Sequence, residues 1–141
     1  MLAHLKNPDE FWGPYLIPTV ARNDPHYDPD NMWRGPVWAN VNYFFIEALE
    51  QIHEFELADE LRQRTLDLIM NHSNIYEYYN AETGEVPTKA AEIFGWTAAV
   101  FIDLAIKASQ SEVGEEQSAS DEPVGDDPAG ENADEHLKKE E

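Results

Sequence analysis

The chain has 141 residues, no cysteine, and 29 acidic against 9 basic side chains, for a formal net charge of −20 at pH 7. That length supports one domain at most, and the charge excludes a nucleic-acid binder and an anionic-membrane binder, both of which need clustered Lys and Arg. The missing thiols exclude a disulfide framework, a thiolate metal site and a cysteine nucleophile. No apolar run approaches the ~20 residues that span a bilayer, and Met1–Lys6 has no signal-peptide h-region, so a cytoplasmic location is expected.

Residues 7–36 read as irregular, because Pro8, Pro14, Pro18, Pro25, Pro29 and Pro36 recur too often for a helix or a central strand. The same stretch carries Phe11, Trp12, Tyr15, Tyr27 and Trp33. A long loop rich in aromatics is usually pinned to something and often functional.

Pro36 suits the first position of a helix. From there Val37, Trp38, Val41, Phe44, Phe45, Ala48, Leu49 and Ile52 follow an i, i+3, i+4, i+7 pattern. Leu57, Ala58, Leu61, Thr65, Leu68 and Ile69 form a second stripe, so two antiparallel helices are expected rather than one very long one. Ile75–Asn80 is short and aromatic and reads as extended, and Glu82–Glu85 reads as a turn. Trp96 to Ala108 is apolar on nearly every face, the pattern of a helix buried between neighbours. The chain offers few such neighbours.

The charge is uneven. Residues 111–141 hold 12 acids and two lysines and no aromatic residue. Such composition cannot offset the entropy of ordering, so 1–110 is expected to fold and 111–141 to form a disordered acidic tail. The body keeps 17 acids against seven bases, a balance that suits a halophilic setting.

Two segments could carry chemistry. Trp33-Arg34-Gly35-Pro36-Val37-Trp38, with Asn40, Asn42 and Tyr43, brings indoles, a guanidinium and amides to one helix start. Aromatic walls with a few polar groups suit sugars, although Trp38 also lies on the core stripe. In Tyr76-Glu77-Tyr78-Tyr79-Asn80 a glutamate flanked by tyrosines could act as a general base, or could simply face water. Glu92 is a second carboxylate, otherwise a first-turn charge of the last helix. Asn23–Asn31 is rich in oxygen ligands but lacks EF-hand spacing, so turn caps are the better reading. The histidines show no metal-ligand spacing, and no metal or cofactor is expected.

In order, these blocks resemble glycoside hydrolase family 63 and its mannosylglycerate-hydrolase-like relatives. The resemblance rests on Asn7-Pro8-Asp9-Glu10-Phe11-Trp12, Ile17-Pro18-Thr19-Val20-Ala21 and Met32-Trp33-Arg34-Gly35-Pro36-Val37-Trp38. Tyr76-Glu77-Tyr78-Tyr79-Asn80 and Phe94-Gly95-Trp96-Thr97-Ala98 complete it, over roughly residues 1–108. It implies an all-α fold, the C-terminal helices of a six-hairpin α/α toroid. It implies inverting hydrolysis of an α-glucosyl or α-mannosyl bond, with an aspartic acid protonating the leaving oxygen and a glutamate activating water. By motif position that glutamate is Glu77, and Trp33, Arg34, Asn42, Tyr43 and Trp96 line or support the sugar pocket. The family's general acid belongs to an upstream block, so the chain is expected to be a partial catalytic domain, inactive alone, that requires the missing N-terminal part. A non-catalytic carbohydrate-binding or regulatory helical module is the alternative.

Overall fold

The computed structural model describes residues 1–120, with side chains described through residue 110. Its regular elements are all helical: α1 (Leu2–Leu5), α2 (Ala39–Gln51), α3 (Phe55–Met70) and α4 (Gly95–Ser120). The α2–α3 break falls where expected. His53 makes it with φ of 63°, without Gly or Pro. α4 continues to Ser120, past the expected boundary at 110, and the rest of the expected acidic tail, 121–141, lies outside the described residues.

The start of α2 differs from the sequence pattern. Pro36 does not open the helix. Val37 is extended and exchanges two backbone hydrogen bonds with Tyr79, at 2.8 and 3.0 Å, and the helix begins only at Ala39. The buried face is rotated as well: it holds Ala39, Asn40, Asn42, Ile46 and Leu49, while Phe44 and Ile52 point outward. The reason is Asn42, which is fully buried. Its carboxamide oxygen accepts from the Ile17 N–H (2.8 Å), and its nitrogen donates to the Leu16 carbonyl (2.6 Å) and to Thr65 Oγ1 (2.9 Å). One polar side chain thus fastens the N-terminal loop to α2 and α3.

The core joins Leu16, Ile17, Ile46, Leu49, Leu61, Ile69, Tyr79, Val100 and Leu104. α3 packs on α2, and α4 contacts both. The buried Arg62 guanidinium is held by Glu50 of α2 and Asp59 of its own helix. Arg64 donates to the carbonyls of Gly13 (2.8 Å) and Pro14 (2.6 Å), pinning the aromatic loop to α3. Among the described residues no helix is long and apolar enough to cross a membrane.

Candidate functional site

Extended backbone assembles the site. Segment 75–79 lies between two others. On one side Tyr79 pairs with Val37. On the other, Tyr76 bridges Glu92, the Glu77 N–H donates to the Ala91 carbonyl (2.9 Å), and the Phe94 N–H donates to the Ile75 carbonyl (3.0 Å). Val37 also bridges Pro18, and the Thr19 N–H donates to the Pro36 carbonyl (3.2 Å). Four stretches scattered through the sequence therefore meet in one place.

Their side chains form an aromatic stack. Trp33 lies on Trp38 with ring centroids 3.9 Å apart and planes 10° from parallel, and Trp38 lies on Tyr78 at 5.2 Å. Phe94 meets the Trp38 ring edge-on at 6.3 Å. Trp38 and Tyr78 are buried, whereas Trp33 is 48% exposed and offers its outer face to solvent. The loop turns back at Met32, at φ of 28°, and the Met32 carbonyl accepts the Trp38 indole N–H at 2.9 Å. That bond seats Trp33 over Trp38.

Gly35 makes the same turn possible. A Cβ there would sit 2.7 Å from the Asp28 carbonyl oxygen and 2.8 Å from the Tyr27 ring. The Asp28 carbonyl belongs to backbone, which cannot yield as a flexible side chain can. Gly35→Ala is therefore expected to cost about 1–3 kcal/mol, the usual range for overpacking, and to lift Trp33 off Trp38. A lowered melting temperature together with a changed tryptophan emission checks this. An unchanged melt and spectrum would count against it.

Glu77 stands beside the stack, half-buried, and its Oε2 accepts the Ala91 N–H at 3.2 Å. Its carboxylate is thus oriented by backbone rather than by a flexible partner. The Tyr78 hydroxyl, buried and without a hydrogen-bond partner among the described residues, is pushed up in pKa, first by burial and then by the charges of Glu77 and Asp30. It stays protonated. Asp30 accepts from Asn80 Nδ2 at 2.7 Å, and Asn80 Oδ1 caps the following turn through the N–H groups of Glu82 and Thr83. Beyond Asp30 lies an open depression of about 340 Å³, lined by Asp28, Asn31, Thr88 and Lys89 among others.

The expected site residues divide into two groups. Trp33, Glu77 and Trp96 are accessible, Trp96 being 51% exposed at the start of α4. Arg34 is exposed and its Nε donates to the His26 carbonyl at 3.3 Å. Asn42 supports the scaffold rather than facing a ligand, because every polar atom of its carboxamide is engaged and none reaches solvent. Tyr43 sits at the α2–α4 seam, where Lys107 donates to its hydroxyl (3.3 Å) and lies over its ring. Glu92 does not enter a helix: it is exposed, three residues before Gly95, in the strip that pairs with Tyr76. Asp24 and Asp28 cap turns, accepting the N–H groups of His26 and Asp30. Sequence reasoning gave no separate role to Tyr78, Phe94 or Asp30. Consecutive aromatics at 76–79 are the available signal, but which ring meets Trp38 depends on the Val37–Tyr79 pairing.

The indole stack and the Glu77 carboxylate thus sit on extended segments beside an all-helical body, and the class of the protein follows from its similarity to known proteins. Residues 1–97 match the profile of the mannosylglycerate hydrolase MGH1-like glycoside hydrolase domain, and the chain belongs to that family. It is 37% identical over 94 residues to mannosylglycerate hydrolase of Thermus thermophilus, covering 64% of this chain and 22% of that protein. It is 36% identical over 86 residues to mannosylglycerate hydrolase MGH1 of Selaginella moellendorffii, covering 61% of this chain and 17% of that one. The crystal structure of a Thermus thermophilus GH63 mannosylglycerate hydrolase in complex with glucose superposes with a TM-score of 0.58 at 34% identity, over 65% of this chain and 23% of that one. The chain spans about a fifth of the length of the relatives it matches.

Proposed function

We propose that the chain is the general-base sector of an inverting glycoside hydrolase acting on α-linked mannosyl or glucosyl groups, such as mannosylglycerate or an oligosaccharide. The observation that carries this reading is the Glu77 carboxylate, fixed by the Ala91 N–H at 3.2 Å beside a stack whose outer indole is open to solvent. The Trp33 face receives the apolar face of a sugar ring. Glu77 takes a proton from a water that attacks the anomeric carbon, while the C–O bond to the aglycone breaks on the opposite side. The proton for the leaving oxygen comes from an aspartic acid outside this sector. Without it the leaving group departs as an alkoxide, so the chain alone hydrolyses neither α-mannosides nor α-glucosides. Trp96 and Arg34 border the sugar, while Asn42 and Tyr43 support the helices behind it. The names of the relatives, mannosylglycerate hydrolases and a glucose-bound member of their family, support the substrate class.

The test separates binding from chemistry. Titrating the chain with mannosylglycerate or glucose is expected to change tryptophan fluorescence, and Trp33→Ala is expected to weaken binding at least fivefold. Covering one apolar face on a lone indole contributes about 1.5–3 kcal/mol, so a dissociation constant of roughly 6–80 mM is the expected scale. If Trp33→Ala binds as well as the parent, the stack is not the sugar platform. If the unaided chain hydrolyses these sugars, the partial-domain reading fails.

A further inference from the structure

The strip beside Glu77 holds one residue more than its partner. The Glu77 N–H donates to the Ala91 carbonyl at 2.9 Å, Tyr76 bridges Glu92, and the Phe94 N–H donates to the Ile75 carbonyl at 3.0 Å. In an even ladder residue 75 would meet 93. Here Ile93 and Phe94 both stand opposite Ile75, which makes a β-bulge. Ile93, the first residue of the bulge, has φ of 54°. Bulges with a left-handed first residue normally place glycine there, and a β-branched side chain in that conformation is strained. Ile93 is 80% exposed, so burial of its side chain offsets little of the strain. Strain of this kind persists only where the surroundings impose it, and it gathers at functional sites.

We propose that Ile93 is a positioning residue: the bulge it heads diverts the Ala91 N–H from the ladder to the Glu77 carboxylate and so aims the base. In an unbroken antiparallel ladder Glu77 and Ala91 would exchange both backbone bonds. The Glu77 N–H keeps its place in that pair, while the Ala91 N–H turns to Glu77 Oε2 at 3.2 Å. A bulge bends its strand and tightens the twist, and this one lies two residues from Ala91. The same extra residue gives the Ile75 carbonyl to Phe94, whose ring then meets Trp38 edge-on. One bulge thus serves both the carboxylate and the stack. Its purpose rests on the general-base reading above, although its geometry does not.

The experiment follows the backbone amides and the glutamate carboxyl carbons of the isotopically labelled full chain by NMR as pH falls through the carboxylate range. The Ala91 amide proton is expected to shift with the same midpoint as the Glu77 carboxyl carbon, and Glu77→Gln is expected to abolish that shift. Ile93→Gly should keep the Ala91 response and raise the melting temperature by a few degrees, because glycine adopts this conformation without strain. Deleting Ile93 evens the ladder and should remove the Ala91 response, while the Val37 and Tyr79 amides on the other edge stay protected from exchange. The proposal is overturned if the parent Ala91 amide ignores Glu77, or if the deletion protein, folded by the Val37 and Tyr79 criterion, keeps the response. Should the deletion protein not fold, Ile93→Gly decides: a lower melting temperature or a lost Ala91 response overturns the proposal. A positive Ala91 result with a completed enzyme indifferent to Glu77→Gln would sink the catalytic reading and leave the bulge's action standing.

Discussion

Glu77→Gln is expected to lower kcat by about 10²–10⁴ in an enzyme completed by fusing this chain to the remainder of the Thermus relative, the range that one general acid or base usually supplies. The amide is isosteric and keeps an oxygen to accept the Ala91 N–H, so the side chain should hold its position. Sugar binding, which the proposed function assigns to the Trp33 face, should change little. Only the capacity to take a proton from water is removed. Glu92→Gln in the same fusion should cost far less, because Glu92 is exposed and its segment contributes a backbone pairing with Tyr76. Steady-state kinetics with mannosylglycerate separates the two, and the product anomer seen by NMR reports inversion. If the Glu92 variant is dead and the Glu77 variant active, the base is Glu92.

Asn42→Leu is expected to lower the free energy of unfolding by roughly 2–6 kcal/mol. The substitution keeps volume but removes the partner of the buried Ile17 N–H, of the Leu16 carbonyl and of Thr65 Oγ1. A buried polar group stranded in this way costs about 1–3 kcal/mol. Thr65 retains its bond to the Leu61 carbonyl at 2.7 Å, so two backbone groups carry most of the loss, roughly 2–6 kcal/mol together. Against a total stability of about 5–15 kcal/mol that is a large fraction. Urea denaturation followed by circular dichroism measures it. A loss below about 1 kcal/mol would mean that the N-terminal loop is held by other contacts, such as Arg64 with the Gly13 and Pro14 carbonyls.

The helices are legible because each carries an apolar repeat strong enough to declare its period: Leu57 to Ile69 marks α3 within a few residues of its observed ends. The aromatic loop is legible as a loop, since its prolines forbid anything regular. The start of α2 escapes a sequence reading for a local reason. Pro36 is a sound N-terminal residue for a helix, but Val37 gains two backbone bonds to Tyr79 that no local propensity registers. The rotated face of α2 has the same origin. Hydrophobic periodicity assigns Phe44 to the core and leaves Asn42 off the apolar stripe, yet Phe44 faces solvent and Asn42 is buried, because Asn42 finds three partners on two other elements.

The site divides in the same way. The apolar repeats by themselves indicated helices, and the resemblance of the ordered motifs to glycoside hydrolase family 63 supplied the toroid class, the family, and Trp33 and Glu77 as residues worth attention, because those signals lie in residue type and in spacing along the chain. Only the tertiary structure decided which of them meet. Segment 75–79 pairs with the 36–38 strip on one edge and with 91–94 on the other, and that pairing lays Trp38 on Tyr78, sets Trp33 outermost and hands the Glu77 carboxylate to the Ala91 N–H. Contacts between residues dozens of positions apart depend on register and on which backbone groups remain unpaired, and neither quantity is written in any local stretch of sequence.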